Sequence, residues 1–247
     1  SVTMLSVMGL LADNGRILTA RAFWIRAVAL SLYLRRRPGS GQRVGIMLPA
    51  SSAACVAWLA VLLAGQTPVM LNWTTGPRNL CHCLRLAGVR HILTARALLD
   101  RLEGSGLREA AGEAGAAWLL LEDAASSLSP CLRLEAACRA FLSLAGLEGG
   151  VVPRKPSPLA AILFTSGSSA APKGVPLSHD NILSNCRDVA AILALDSHDA
   201  MLAMLPPFHT LGLTGNIVLP LCFGMPVVFH ANPTEGACLD AVCRQWR

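Results

Sequence analysis

The sequence predicts an α/β fold built from mostly parallel sheets with flanking helices. Short apolar runs alternate along the chain with amphipathic helical patterns, which is the order expected when parallel strands are joined by helices. The 247 residues are also more apolar than an average soluble domain, with 53% hydrophobic and 15% charged residues. Parallel strands buried on both faces explain such an excess, and apolar surface left open by a missing domain is the alternative.

The elements follow one another in a simple order. Thr19 can cap an amphipathic helix that runs to about Arg36, and the Pro-Gly-Ser-Gly turn at 38–41 ends it. A second helix is expected at 53–65, and Ser178 is expected to cap a helix that runs toward Ala194. Strands are predicted at 43–48, 69–71, 91–94, 118–121, 159–164, 200–205 and 226–229.

Residues 165–174 carry the strongest chemical signal in the chain. They read Thr-Ser-Gly-Ser-Ser-Ala-Ala-Pro-Lys-Gly directly after an apolar strand. Backbone N–H groups and hydroxyls in such a loop can surround phosphate oxygens, while Lys173 supplies a compact positive charge. The common nucleotide-triphosphatase loop has glycine before its lysine and Ser or Thr after it, but here Pro172 and Gly174 stand in those places. We therefore expect a phosphate loop of another type, and an ordinary Ser/Gly loop between a strand and a helix is the alternative.

This loop resembles the signature of the adenylate-forming, or AMP-dependent, synthetase and ligase superfamily. Pro-Pro-Phe-His-Thr-Leu-Gly at 206–212 resembles a segment that lies about forty residues further along in that family and lines the acyl pocket. Segments 41–49 and 68–72 are similar to the family's first strands. Ala170 stands where the family usually has glycine, which predicts a less mobile loop.

The resemblance implies a site and a reaction. A carboxylic acid attacks the α-phosphate of MgATP to give an acyl-adenylate and pyrophosphate, and a thiol then takes the acyl group. His209 is implied as a catalytic residue beside the carboxylate, and Phe208, His209 and Gly212 are implied to bind the acid. The residues implied to bind the cofactor ATP, which comes with Mg²⁺, are Thr165, Ser166, Gly167, Ser168, Ser169, Lys173 and Gly174.

Two short segments point to a subgroup of this family. Residues 71–80 and 230–235 look most like the synthetase half of the bifunctional acyl-acyl-carrier-protein synthetase and 2-acylglycerophosphoethanolamine acyltransferase. That resemblance implies a fatty acid substrate, an acyl carrier protein or CoA as the thiol partner, and a place in phospholipid metabolism. Peripheral contact with a membrane is a further implied interaction.

The length suggests that the chain is part of a larger enzyme. Family members are about twice as long, so residues 1–247 are expected to be a partial N-terminal adenylation domain without the mobile C-terminal domain. The proline-rich connector at 151–158 is the best internal boundary. The family segments that hold adenine, ribose and metal, and the adenylation lysine, would lie further on. We therefore expect the isolated chain to be inactive.

The net charge indicates which partners to expect, and the cysteines indicate the redox environment. The net charge of +6 favours acidic partners such as nucleotides, acidic carrier proteins and anionic membranes, and we expect no nucleic acid partner. Nine scattered cysteines in largely apolar contexts indicate buried free thiols in a reducing cytosol. The triplet Cys81-His82-Cys83 invites a metal site, but no second Cys/His pair has the required spacing, so no protein-bound metal is predicted.

The remaining signals concern location and the alternatives to an enzyme. No targeting segment is evident, which favours the cytoplasm, with the inner face of the membrane as an alternative. The uncharged run 201–229 is interrupted by four prolines and His209, so we interpret it as strand, loop, helix and strand rather than as a membrane span. A non-catalytic binding or scaffolding remnant and a membrane-associated protein stay open as alternatives.

Overall fold

The computed structural model describes residues 11–13, 16–37, 41–145, 151, 155–165, 171–196, 198–230 and 244. The strands, in chain order, are β1 (Leu11–Asp13), β2 (Arg16–Leu18), β3 (Arg43–Ile46), β4 (Thr67–Met70), β5 (His91–Thr94), β6 (Ala117–Leu120), β7 (Leu159–Thr165), β8 (Lys173–Ser178), β9 (Met201–Ala203) and β10 (Val227–Phe229).

Helices lie between most of these strands, and they are α1 (Ala20–Arg36), α2 (Ser52–Leu63), α3 (Pro77–Ala87), α4 (Arg96–Arg101), α5 (Leu107–Glu113), α6 (Leu121–Ser127), α7 (Pro130–Leu144), α8 (His179–Leu193), α9 (Thr210–Leu213) and α10 (Leu219–Phe223). A π-helical turn, Thr214–Val218, joins α9 to α10.

The strands form two mostly parallel sheets. The larger has the order β6-β5-β3-β4-β7-β8, and its strands are parallel except for the edge strand β8, which runs antiparallel to β7. The smaller has the order β2-β1-β10-β9, with β1, β10 and β9 parallel and β2 antiparallel to β1. The predicted fold class, mostly parallel sheets with flanking helices, is confirmed.

The two sheets share one hydrophobic core. Helix α2 contacts β1 of the smaller sheet and β3 and β4 of the larger one. The indole N–H of Trp58 on α2 donates to the Ala160 carbonyl of β7 at 3.1 Å. Helices α3 and α5 cover the opposite face of the larger sheet, where Leu84 and Leu107 pack with Ile92 of β5. Burial on both faces accounts for the apolar composition.

Helix ends were the most accurate part of the sequence prediction. The Thr19 hydroxyl accepts from the Ala22 N–H, and α1 ends at Arg36 as expected. Ser178 caps α8 through a reciprocal pair of bonds with Asn181, at 3.1 and 3.0 Å. Strand β5 has the predicted limits.

Several predicted boundaries need correction. The strands expected at 43–48 and 200–205 are shorter in the structure, Arg43–Ile46 and Met201–Ala203, and the helix expected at 53–65 is Ser52–Leu63. Apolar side chains such as Met47 and Leu48 stay buried beyond the end of their strand, so the hydrophobic pattern overstates its length. Strands β1, β2 and β8 were not predicted.

The run 201–229 forms β9, a loop, the α9 to α10 helical segment and β10. In the part of the chain that the structure describes, no helix has the length and apolar character to cross a bilayer.

The cysteines are not uniformly buried. Four of them are buried as expected, namely Cys55, Cys81, Cys83 and Cys186. Cys131 and Cys138 are exposed, which corrects the prediction for these two. They lie on α7, whose outer face carries apolar residues without a covering element among the described residues, so an apolar context in sequence did not guarantee burial.

Candidate functional site

A cavity of about 310 Å³ lies where strands of both sheets end. It is bordered by residues at the carboxyl ends of β4 and β7 and by the segment that follows β9, the edge at which parallel α/β sheets usually bind ligands. The lining residues are Leu71, Asn72, Thr75, Leu80, Cys83, Leu163, Phe164, Thr165, Pro172, Val175, Phe208, His209 and Thr210.

The predicted phosphate loop connects two antiparallel strands at the rim of this cavity. Thr165 ends β7 and pairs with Lys173 at the start of β8. Residues directly opposite one another in an antiparallel pair project from the same face, so the Thr165 hydroxyl and the Lys173 amine leave the hairpin together. Both side chains are exposed, and Lys173 forms no ion pair with any described residue.

The phosphate loop does not lead directly into a helix, as one alternative supposed. A Ser/Gly loop between a strand and a helix was considered, whereas the chain enters a second strand, β8, before it reaches α8. Four of the predicted ATP-binding residues, together with Ala170, lie outside the described residues, namely Ser166, Gly167, Ser168 and Ser169.

Gly174 is described and lies in β8. A Cβ atom there would be 3.4 Å from Phe164 Cε1, which is ordinary van der Waals contact. The described structure therefore gives no steric reason for glycine at this position, and any role in binding phosphate would use its backbone.

Two of the three predicted acid-binding residues, Phe208 and His209, lie in the loop that carries the chain from β9 to α9. Phe208 is buried, and the ring of Trp73 packs edge-on against it with centroids 4.7 Å apart. His209 is exposed at the first turn of α9, with its ring 4.6 Å from that of Phe208. No hydrogen bond holds the His209 ring within the described residues, so its nitrogens are available to a ligand at the cavity mouth.

Gly212 lies behind this pair and does not line the cavity. A Cβ atom at Gly212 would come within 2.0 Å of the Pro206 carbonyl oxygen, so only glycine lets α9 pack against the loop. The amide of Asn216 holds the same loop from the π-helical turn by donating to the Leu205 carbonyl at 3.1 Å. Gly212 thus places Phe208 and His209 through packing.

Three polar residues at this site were missed in the sequence. Asn72 and Thr75 border the cavity, and the Asn72 side chain accepts from the Thr74 N–H at 2.8 Å, which folds the chain after β4 into a local turn. Asn216 is a single amide in an apolar helical stretch, and that contrast is a usable signal because a buried amide must have a partner.

The inner wall of the cavity is apolar and uncharged. Cys83 lies there, and burial raises the pKa of its thiol to about 11, so the group is neutral near pH 7. No Asp or Glu is found among the described lining residues. In the same part of the chain, no three His, Cys, Asp or Glu side chains are grouped as metal ligands. Cys83 instead packs into the core beneath α3, and Cys81 is buried at the floor of the groove between α3 and α5.

Comparison with known proteins identifies the family. The model of the AMP-binding enzyme family matches residues 5–245, and the chain belongs to that family. It is 28% identical over 226 residues to sulfoacetate–CoA ligase of Cupriavidus necator, covering 89% of this chain and 42% of that protein. Over a shorter stretch of 77 residues, it is 38% identical to medium-chain-fatty-acid–[acyl-carrier-protein] ligase TtuA of Teredinibacter turnerae, covering 31% of this chain and 12% of that protein.

A solved structure shows the same fold. The chain superposes on o-succinylbenzoate CoA synthetase (MenE) of Bacillus subtilis in complex with its acyl-adenylate intermediate, with a TM-score of 0.75 and 18% identity. The match covers 98% of this chain and 58% of the synthetase. The same synthetase has also been solved with ATP and magnesium ion. The chain therefore spans about half the length of the proteins it matches.

Proposed function

We propose that this chain is the phosphate-binding and acid-binding part of an enzyme that uses ATP to convert a fatty acid into an acyl-adenylate and then passes the acyl group to a thiol. The observation that carries the proposal is the meeting of two separate motifs at one cavity. Thr165, beside Lys173, and the pair Phe208 and His209 lie some forty residues apart in the sequence and border the same space.

On the ATP side, the hairpin offers a hydroxyl and a positive charge to phosphate oxygens. Lys173 would stabilise the negative charge that develops as pyrophosphate leaves, and its lack of a described ion-pair partner keeps its charge available. The hydroxyls and backbone N–H groups of 166–169 are proposed to complete the cradle. Magnesium prefers oxygen ligands, and since the described lining holds no carboxylate, the ion would be carried by the triphosphate and by residues elsewhere.

On the acid side, the cavity combines an apolar inner wall with the exposed His209 ring and a few uncharged polar side chains. Phe164 and Val175 supply accessible apolar surface that an acyl chain can cover, and the Phe208 ring is buried beside them. His209, exposed beside them, is proposed to hold the carboxylate close to the α-phosphate, so that attack begins from a fixed geometry. A compact apolar cavity with few polar groups is the usual form of a small-molecule site.

The thiol acceptor is proposed to be an acyl carrier protein or CoA. Relatives include both a CoA ligase and a fatty-acid ligase that uses a carrier protein, and the second has the higher identity, over a shorter stretch. The second relative supports a carrier protein as the acceptor. The resemblance of residues 71–80 and 230–235 is the basis for proposing the acyl-acyl-carrier-protein synthetase subgroup and a role in phospholipid metabolism. The net charge of +6 suits an acidic carrier protein.

We further propose that the chain needs additional regions for turnover. It spans 42% of the sulfoacetate ligase, so the groups that hold adenine and ribose are proposed to lie in regions that such relatives have beyond the matched part. The 247 residues alone should therefore turn over poorly as a partial N-terminal domain, and the connector at 151–158 is proposed as its internal boundary.

Chemical labelling of the two lysines tests the phosphate site directly. Lys155 and Lys173 are the only lysines in the sequence, and both are exposed. An amine-reactive reagent should modify both in the protein that contains this chain, and MgATP should protect Lys173 but not Lys155. Equal modification of the two with and without MgATP would contradict the proposed site.

Membrane contact is a second candidate function, favoured by the outer face of α7. Leu134 is 66% exposed and Phe141 61% exposed, and they lie seven residues apart on the same side of the helix. Such a stripe suits a helix that lies on a membrane surface at the cytoplasmic side. Flotation with anionic liposomes should carry the protein upward, and a Leu134→Ser/Phe141→Ser variant should stay at the bottom. Flotation of neither protein would remove this candidate.

A further inference from the structure

The His82 ring contacts the backbone directly before Lys173. Its ring Nε2 lies 3.1 Å from the backbone carbonyl oxygen of Pro172, the residue directly before Lys173. A carbonyl oxygen can only accept a hydrogen bond, so Nε2 must carry the proton. The bond therefore joins helix α3 to the base of the hairpin loop, across 90 residues of sequence.

Helix α3 is a firm support for this contact. Cys81 and Cys83 are buried at 8% and 5% exposure, so they fix the rotation of the helix and leave His82 at its edge facing β8. The helix ends at Gly88, which adopts the left-handed conformation of a C-cap. The Cys-His-Cys triplet thus consists of two packing residues and one residue that reaches out to the loop.

The bonded carbonyl belongs to the peptide unit that joins Pro172 to Lys173. A peptide unit is planar, so the Pro172 oxygen, the Lys173 nitrogen and the Lys173 Cα lie in one plane. Strand β8 is at the edge of the larger sheet and has a neighbour on one side only, where it pairs with β7. The His82 bond supplies the support that a second neighbouring strand would otherwise give.

We propose that His82 is a positioning residue: its bond to Pro172 holds the peptide plane that aims Lys173 at the phosphates of ATP. This rests on the proposed function for the role of Lys173, whereas the effect on the loop itself does not. The opposite side of His82 faces an open groove between α3 and α5 that is also lined by Arg78, Arg85 and Glu109. The residue can therefore be changed without opening the hydrophobic core.

Three variants of the protein that contains this chain test the proposal. His82→Ala removes the bond, and His82→Gln restores a donor, since its amide nitrogen lies about as far from the backbone as Nε2. Arg85→Ala is the matched control, because Arg85 donates from the same helix to a different backbone carbonyl, that of Glu113, at 2.9 Å. The measurements are the KM for ATP and for the acid in carboxylate-dependent pyrophosphate exchange, and amide hydrogen exchange in peptides covering 171–178.

We expect His82→Ala to raise the KM for ATP roughly two- to tenfold, the effect of one hydrogen bond, with less than a twofold change in the KM for the acid. Hydrogen exchange at 171–178 should become faster in this variant, return toward wild type in His82→Gln and stay unchanged in Arg85→Ala. A wild-type KM for ATP together with wild-type hydrogen exchange in His82→Ala would overturn the proposal, and so would equal effects of His82→Gln and His82→Ala. If the wild-type protein shows no pyrophosphate exchange, the proposed function fails, and amide hydrogen exchange alone still decides whether His82 holds the loop.

Discussion

Substitution of Gly212 by alanine should displace the loop that carries Phe208 and His209, although Gly212 itself does not line the cavity. The added Cβ atom would lie 2.0 Å from the Pro206 oxygen and 2.7 Å from its carbonyl carbon, both backbone atoms that cannot rotate away. Carbon and oxygen normally approach to about 3.3 Å, so α9 and the loop must separate by about 1.3 Å. Overpacking of this kind lowers the free energy of unfolding by about 1 to 3 kcal/mol. Because the clash is with backbone atoms, we expect Gly212→Ala to lose about 3 kcal/mol.

The assay is thermal unfolding with Gly215→Ala as the control. At about 2 to 4 °C per kcal/mol for a chain of this size, Gly212→Ala should lower Tm by about 6 to 12 °C. Gly215 lies one turn further on, and its added Cβ would only touch the Leu211 side chain at 3.4 Å, so Gly215→Ala should leave Tm nearly unchanged. A Gly212→Ala protein with the same Tm as the Gly215→Ala control would show that α9 and the loop accommodate the added Cβ atom without strain.

Four further predictions concern thiols, backbone conformation and the phosphate loop. Iodoacetamide at pH 8.5 should modify the exposed Cys131 quickly and Cys83 slowly, because burial raises the pKa of Cys83 to about 11, and equal rates would contradict this. Burial raises the pKa of Cys83 to about 11, that of Cys186 to about 12 and that of Cys55 as well, so the folded state should lose stability as the pH rises above 9, because the unfolded chain releases these protons first. Urea titrations at pH 8 and 10 measure the combined loss, and equal stability at the two pH values would contradict it. Ala194 has a left-handed φ of 52° at the end of α8, so Ala194→Gly should stabilise the fold by up to about 1 kcal/mol, and a lower Tm would argue against the conformation. Ala170→Gly should raise the adenylation rate without tightening acid binding if loop rearrangement limits the reaction, and a level or lower rate would show that the alanine is harmless.

Features that depend only on residues close together in the sequence, such as helix caps, could be predicted from it. Thr19 and Ser178 cap helices with their own side chains, so the starts of α1 and α8 were predictable. Strand β8 was missed because it is an exposed edge strand that contains Pro176, and proline usually argues against a strand. Strands β1 and β2 have only three residues each, although the Asn-Gly dipeptide at 14–15 between them is a known hairpin signal.

The site was only partly predictable because its parts meet through topology. The family resemblance supplied Thr165 and His209, but their meeting at one cavity depends on the carboxyl ends of strands in two different sheets. His82 was considered only as a metal ligand, since its partner is a backbone carbonyl 90 residues away that no side-chain pattern reveals. Gly212 was expected to bind substrate, and the close approach of Pro206 that gives it a packing role is visible only in three dimensions.

Lys173 is proposed to hold the phosphates of ATP during acid activation. This role is tested most directly by carboxylate-dependent pyrophosphate exchange in the protein that contains this chain together with the regions that its relatives add. Lys173→Ala should lower the exchange rate roughly tenfold or more, as expected for the loss of one charge-assisted contact of about 1.5 to 3 kcal/mol. Lys155→Ala, which removes the other exposed lysine, should leave it unchanged. Exchange that is unchanged in Lys173→Ala, or lowered equally in both variants, would contradict the account.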